Sequence, residues 1–177
     1  TTQKNRASFS VTTKKIKKSS LPRIGIIDLG TNSLRFDAYE FDGKDLHRTH
    51  REKKMIRLGD GVFTSGLIPE ESFKKSVAAC SRIEFVCREL GIKKLYAFGT
   101  SALRSARNSK EFVETIRKET GISIRVISGV EEGTLIAQGV LANERLPRGL
   151  SALIDIGGGS TEVVLCRSGK IVEQHSF

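Results

Sequence analysis

The chain has 177 residues, 38% of them hydrophobic and 28% charged, which is enough apolar content for a buried core and too much for wholesale disorder. Lysine and arginine (30) outnumber aspartate and glutamate (20) for a net charge of +10, yet residues 1–23 hold seven of the basic residues and no acid, so the rest of the chain is only mildly basic. No run approaches the ~18 apolar residues of a membrane-spanning helix, and Cys80, Cys87 and Cys166 supply neither a disulfide framework nor a CxxC metal pair, a pattern that fits a reducing, cytoplasmic setting.

Residues 1–20 are rich in Ser, Thr and Lys, with too few apolar side chains to bury. With Leu21 and Pro22 they read as a disordered basic tail, residues 1–22. Contact with a polyanion and an organelle-transit role are the alternatives; there is no apolar signal region and no lipidation motif.

Structure is expected from Arg23. Residues 24–29 (IGIIDL) form a short apolar run and end in a turn, Gly30-Thr31-Asn32-Ser33. Residues 34–42 alternate with period two, Asp42-Gly43 marks a hairpin turn, and a third strand is expected within 44–57. Pro69 suits the first position of a long helix, with Glu70 and Glu71 in its first turn. Apolar residues at Phe73, Val77, Cys80, Ile83, Cys87 and Leu90 form one helical face, and Gly91 suits the stop. That spacing makes Cys80 and Cys87 core residues rather than redox centres.

Residues 94–99 (KLYAFG) read as a buried strand, and 100–120 as a helix broken near Asn108 and Ser109, either of which suits a cap. A strand over 122–127 and a helix over 131–142 follow, then a Pro-Arg-Gly linker. Three last strands are expected over 152–156, 161–167 and 170–176.

The second meander repeats the first. Residues 27–33 (IDLGTNS) recur as 154–160 (IDIGGGS): a strand ending in Asp, then a turn of Gly, Ser and Thr into the next strand. Such turns let backbone N–H groups converge on an anion. An Asp beside each would repel a bare phosphate, and the arrangement makes sense with hydrated Mg2+ between them, a cation that takes one or two carboxylates and keeps its waters. Ordinary hairpin turns are the competing reading, and the matched pair weighs against it. Two further helix starts fit an anion site: Thr100 to Arg104, where Arg104 supplies a guanidinium fork, and Ser128 to Glu132, with two adjacent acids. Neither a Walker A loop nor a GxGxxG turn is present.

IDLGTNSLR (27–35), GTSALRSARN (99–108), VISGVEEG (126–133) and IDIGGGSTE (154–162) together resemble the exopolyphosphatase/guanosine pentaphosphate phosphohydrolase family of the actin-like ATPase superfamily. The resemblance covers residues 24–177. It implies an α/β fold: an RNase H-like domain with a mixed five-stranded sheet and flanking helices over residues 23–145, followed by the first strands of a second such domain over 146–177. Family members continue beyond the equivalent of Phe177, and a homodimer is one way to cover the resulting half-cleft. An alanine is common in the family where this chain has Gly99 and Gly133.

Carried over position by position, the resemblance implies that Glu132 is the general base. It implies that Asp28 and Asp155 organise Mg2+. Gly30, Thr31, Asn32 and Ser33 form the first phosphate loop, Gly157, Gly158, Gly159 and Ser160 the second, and Arg104 binds phosphate. The implied reaction is release of terminal phosphate from inorganic polyphosphate or guanosine pentaphosphate. A non-catalytic regulator binding guanosine polyphosphates is the alternative. An actin-like ATPase or sugar kinase fits the TSALR and SGVEE segments poorly. At 6% aromatic residues, the chain lacks the stacking platform of a nucleic-acid binder.

Overall fold

The computed structural model describes residues 21–177. The basic tail, apart from Leu21 and Pro22, lies outside them. The chain opens as an antiparallel meander, β1 (Arg23–Leu29), β2 (Ser33–Phe41) and β3 (Leu46–Met55). Asp42 closes the β2–β3 turn by accepting from the Lys44 and Asp45 N–H groups at 2.9 and 2.8 Å. Strands β4 (Lys94–Gly99) and β5 (Ile124–Val126) then add in parallel beside β1, giving a mixed sheet ordered β3-β2-β1-β4-β5. This is the five-stranded RNase H-like sheet expected from the sequence.

One face of this sheet is buried. Ile27, Leu29, Leu34, Phe36, Ala38 and Ala97 point from it into a single core under α2 (Glu70–Leu90) and α4 (Ser109–Thr120). Phe73 of α2 meets Phe112 of α4 edge to face, with centroids 4.9 Å apart. Cys80 and Cys87 sit in this core as the helical spacing predicts. Burial pushes their thiols up to about 12 and about 11, so neither is a nucleophile near neutral pH. The other face carries Asp28, whose cross-strand partner is Arg35, itself paired with Lys53 of β3.

Four local readings need correction. A seven-residue helix, α1 (Gly59–Ser65), precedes α2 and was not expected. Pro69 is the N-cap of α2 rather than its first residue. Between α3 (Ser101–Ser105) and α4, Asn108 stands at the N-cap but makes no side-chain cap bond. It bridges to the chain before α2 instead, accepting from Ile68 N–H at 2.9 Å and donating to the Ile68 carbonyl at 3.2 Å. A two-sided bond to one extended residue replaces the single bond of a cap. Strand β5 keeps only three of the six residues assigned to it.

The last segment is α5 (Gly129–Asn143) and a three-stranded meander, β6 (Leu150–Ile156), β7 (Thr161–Arg167) and β8 (Lys170–Ser176). Ser128 caps α5 by accepting from Glu131 N–H at 3.1 Å. Ala137 of α5 is buried with Val164 and Cys166 of β7 in a second core, separate from the first. The helix therefore packs on the second sheet, although it leaves the last strand of the first. Among the described residues, no helix is long and apolar enough to cross a membrane.

Candidate active site

The two Gly-rich turns are the same structure built twice. In the first, Gly30 N–H donates to the Ser33 carbonyl at 3.0 Å; in the second, Gly157 N–H donates to the Ser160 carbonyl, also at 3.0 Å. The flanking strands pair in matching register, Asp28 opposite Arg35 and Asp155 opposite Glu162. In each turn the central amides are left over: Thr31 and Asn32 in one, Gly158, Gly159 and Ser160 in the other donate no backbone or side-chain hydrogen bond among the described residues. Unpaired N–H groups gathered on a turn are a ready anion cradle.

The carbonyls of the first turn face the other way. Ile56 and Arg57 N–H groups both donate to the Asn32 carbonyl at 2.9 Å, and Gly59 N–H donates to the Thr31 carbonyl at 3.0 Å. The segment between β3 and α1 thus ties back the acceptors and leaves the donors forward.

The two turns touch. A Cβ on Gly158 would overlap the Asn32 carboxamide and come within 3.2 Å of Thr31 Cβ. One on Gly159 would overlap Phe63 of α1 and lie 2.8 Å from Ser101 Oγ. The absence of side chains at these positions permits the approach, and the Ser101 hydroxyl fastens it by donating to the Gly159 carbonyl at 2.7 Å.

Behind the turns, Arg104 of α3 gathers the charged groups. Its Nη1 donates to Glu132 Oε2 at 2.6 Å and to the Ile127 carbonyl at 3.2 Å. Its Nη2 donates to Ser160 Oγ at 3.3 Å and lies 3.7 Å from Glu162 Oε1. The two glutamates of the SGVEE segment part company here. Glu131 turns outward to Arg125, 2.6 Å away, and Glu132 turns inward. Burial raises the Glu132 carboxyl above its ordinary value; the Arg104 hydrogen bond opposes this, while the charges of Glu162 and Asp28 add to it. Asp28 is raised too, by burial first, against the pull of Arg35 and with a push from Asp155.

Of the residues singled out from the sequence, Arg104 meets Glu132 and Ser160, and the turn of Thr31 and Asn32 meets that of Gly158. Sequence reasoning missed Glu162, Ser101 and Ser176. Glu162 is 1% exposed and accepts from the Ser176 hydroxyl at 2.9 Å. The signal for it was present: in β7, positions 162, 164 and 166 point into the second core, and an acid among Val164 and Cys166 demands a partner.

The fold is that of the RNase H-like domains of the actin-like ATPase superfamily. The sequence profile of the Ppx/GppA phosphatase family matches residues 38–177, and the chain belongs to that family. It is 32% identical over 144 residues to exopolyphosphatase 1 of Mycobacterium leprae (strain TN), a match covering 80% of this chain and 42% of that protein. An exopolyphosphatase from Cytophaga hutchinsonii superimposes with a TM-score of 0.83 at 33% identity, over 88% of this chain and 50% of that one. The Aquifex aeolicus family member gives a TM-score of 0.79 at 27% identity, over 89% and 51%. The chain spans 42% of the Mycobacterium leprae relative's length and about half of each solved structure.

Proposed function

We propose that the protein carrying this chain is a Mg2+-dependent phosphoanhydride hydrolase that releases terminal phosphate from inorganic polyphosphate or guanosine pentaphosphate. The observation that carries this reading is the Arg104 guanidinium, which joins Glu132 to the second Gly-rich turn through Ser160. Phosphoryl transfer asks the protein for positioning and charge neutralisation more than for covalent chemistry.

Each residue has a task in that scheme. The free amides of Thr31, Asn32, Gly158 and Gly159 take the oxygens of the terminal phosphate. Arg104 fixes the orientation of the Glu132 carboxylate and offers its second arm to the phosphate. Glu132 accepts the proton of the attacking water, a role that its raised proton affinity suits. Asp28 and Asp155 would hold Mg2+, which supplies charge neutralisation on the phosphate oxygens when bound. Glu162 acts behind Arg104, as an anchor fixed by Ser176.

The test is phosphate release by the full protein with Mg2+, polyphosphate and guanosine pentaphosphate side by side, against Glu132→Gln. Release that collapses by about three orders of magnitude in the variant, with substrate still bound, is the expected result. Equal release by both proteins would remove Glu132 from the chemistry. Binding without release by the wild type would favour the regulatory alternative.

A further inference from the structure

Helix α1 has little helical bias, and the fold fixes it at both of its glycines. A Cβ on Gly61 would overlap the Pro69 ring and stand 2.7 Å from the Leu67 carbonyl oxygen; one on Gly59 would overlap the Thr31 methyl. Gly59 N–H is tied to the Thr31 carbonyl. Past the other end, Arg107 N–H donates to the Gly66 carbonyl at 2.9 Å, and Arg107 Nη2 donates to the Ser65 carbonyl at 2.7 Å. Val62 is buried in the first core. A helix held at both ends and through its middle moves with the first unit.

What α1 presents to the second unit is Phe63. The ring lies between two glycines, one from each unit. Its Cε2 and Cδ2 stand 3.2 and 3.3 Å from where a Gly59 Cβ would be. Its Cζ tip overlaps the place of a Gly159 Cβ, and Cε2 is 2.8 Å from that place. The ring is therefore in van der Waals contact with both backbones. It is 49% exposed, so it serves this contact without being a core residue.

Two opposed forces meet on Gly159. The Ser101 hydroxyl draws its carbonyl toward the first unit, at 2.7 Å, and the Phe63 ring stops the approach. Attraction and stop together set how near Gly158 comes to Asn32 and Thr31.

We propose that Phe63 is a positioning residue whose ring is the spacer between the two Gly-rich turns, and so sets the separation of the amides that seat the terminal phosphate. The inference rests on the reading of those turns as the phosphate seat. Hydrogen bonds weaken steeply with misplacement, so a seat shared between two turns suffers when they stand too far apart and when they stand too close. A ring that only covered the seam would respond to loss of area alone.

The test lengthens and shortens the spacer. Phe63→Tyr keeps the ring and adds an oxygen at Cζ, the atom that meets Gly159. Phe63→Leu removes the tip. Binding is measured in the full protein on a Glu132→Gln background, with tripolyphosphate as the probe. Both variants are expected to weaken binding about three- to tenfold. The melting temperature of Phe63→Tyr should stay within about 2 °C of the parent, because the half-exposed ring is retained. Gly159→Ala puts a methyl group where the ring tip lies and should weaken binding about tenfold. Phe63→Leu in the same chain makes room for that methyl and should recover about threefold of the loss.

Parent-like binding by Phe63→Tyr overturns the proposal and leaves a ring that only covers the seam. Additive losses in Phe63→Leu and Gly159→Ala overturn it as well. The functional reading fails separately: a parent that binds tripolyphosphate, with a wild type that releases no phosphate, removes the hydrolase and leaves the spacer. A parent that binds no tripolyphosphate removes the seat, and the spacer with it.

Discussion

The Ser101 hydroxyl reaches across from α3 to the Gly159 carbonyl, 2.7 Å away, a direct side-chain bond between the first unit and the second Gly-rich turn. Ser101 is itself 5% exposed. Ser101→Ala leaves that carbonyl without its donor, at a cost of about 1 kcal/mol. The turn then loses its fastening rather than its amides. The expected outcome is a small drop in melting temperature and a KM for polyphosphate raised about fivefold, with kcat little changed. A fall in kcat at constant KM would place Ser101 in the chemistry instead.

The pH profile should follow the surroundings of Glu132. A base works as its carboxylate, so activity falls as pH drops through its pKa. Burial raises that pKa, so the acid limb sits above the ordinary glutamate value near ~4.3. Glu162→Gln removes a negative charge that raises it and should move the limb to lower pH. Arg104→Ala removes a hydrogen bond that lowers it and should move the residual activity's limb to higher pH. Glu131→Gln, which alters only the outward pair with Arg125, should leave the profile in place. Shifts of the same sign in the first two variants would dissociate the limb from Glu132.

Asp28 should trade stability for function. Its carboxyl is raised in the folded protein, chiefly by burial, so the folded state holds that proton more tightly than the unfolded state does. Ionisation therefore disfavours folding above the folded pKa, and the penalty vanishes below the unfolded value. Asp28→Asn is expected to raise the melting temperature at pH 7 and to lose that advantage as pH falls below about 4. The gain is modest, because the side chain is 49% exposed and its contact with Arg35 is a loose 3.7 Å. The same variant should lose phosphate release. A lower melting temperature at pH 7 would mean that the Arg35 contact outweighs burial.

Contact between the two turns gives a coupling that a double-mutant cycle can read. Gly158→Ala would drive a methyl group into Asn32 and against Thr31. The expected cost is about 1–3 kcal/mol, as for other overpacked sites, with weakened phosphate binding. In an Asn32→Ala background much of the clash is gone, so the two changes should be non-additive by at least ~0.5 kcal/mol. Additive effects would mean that the turns do not meet in solution.

The repeated strand-Asp-turn-strand pattern was readable because it is local: alternation sets the strands, and small residues set the turns. The register match of Asp28 with Arg35 and of Asp155 with Glu162 follows from those turns alone. Helix α1 was not readable, since seven residues containing Gly59 and Gly61 have no helical bias of their own. It is held from outside, by the bond from Gly59 N–H to Thr31 and by Phe63 lying against Gly159. Asn108 shows the same limit. Its residue type announces a cap, but a partner 40 positions earlier in the chain claims the side chain. The roles of Ser101 and Glu162 likewise depend on how α3 and α5 approach the second sheet, and no periodicity encodes that.

Helix α5 is rooted in one unit and carried by the other. It leaves β5 of the first sheet at Ser128, yet its buried side is pressed onto β7 and β8. Glu132 sits one turn in from that root, and its partner Arg104 rides on α3, whose Ala102 and Leu103 belong to the first core. Acid and cation are thus mounted on opposite jaws. Their 2.6 Å bond is therefore a rivet between the two units, and any change in how the sheets sit would be felt first at the Glu132 carboxylate.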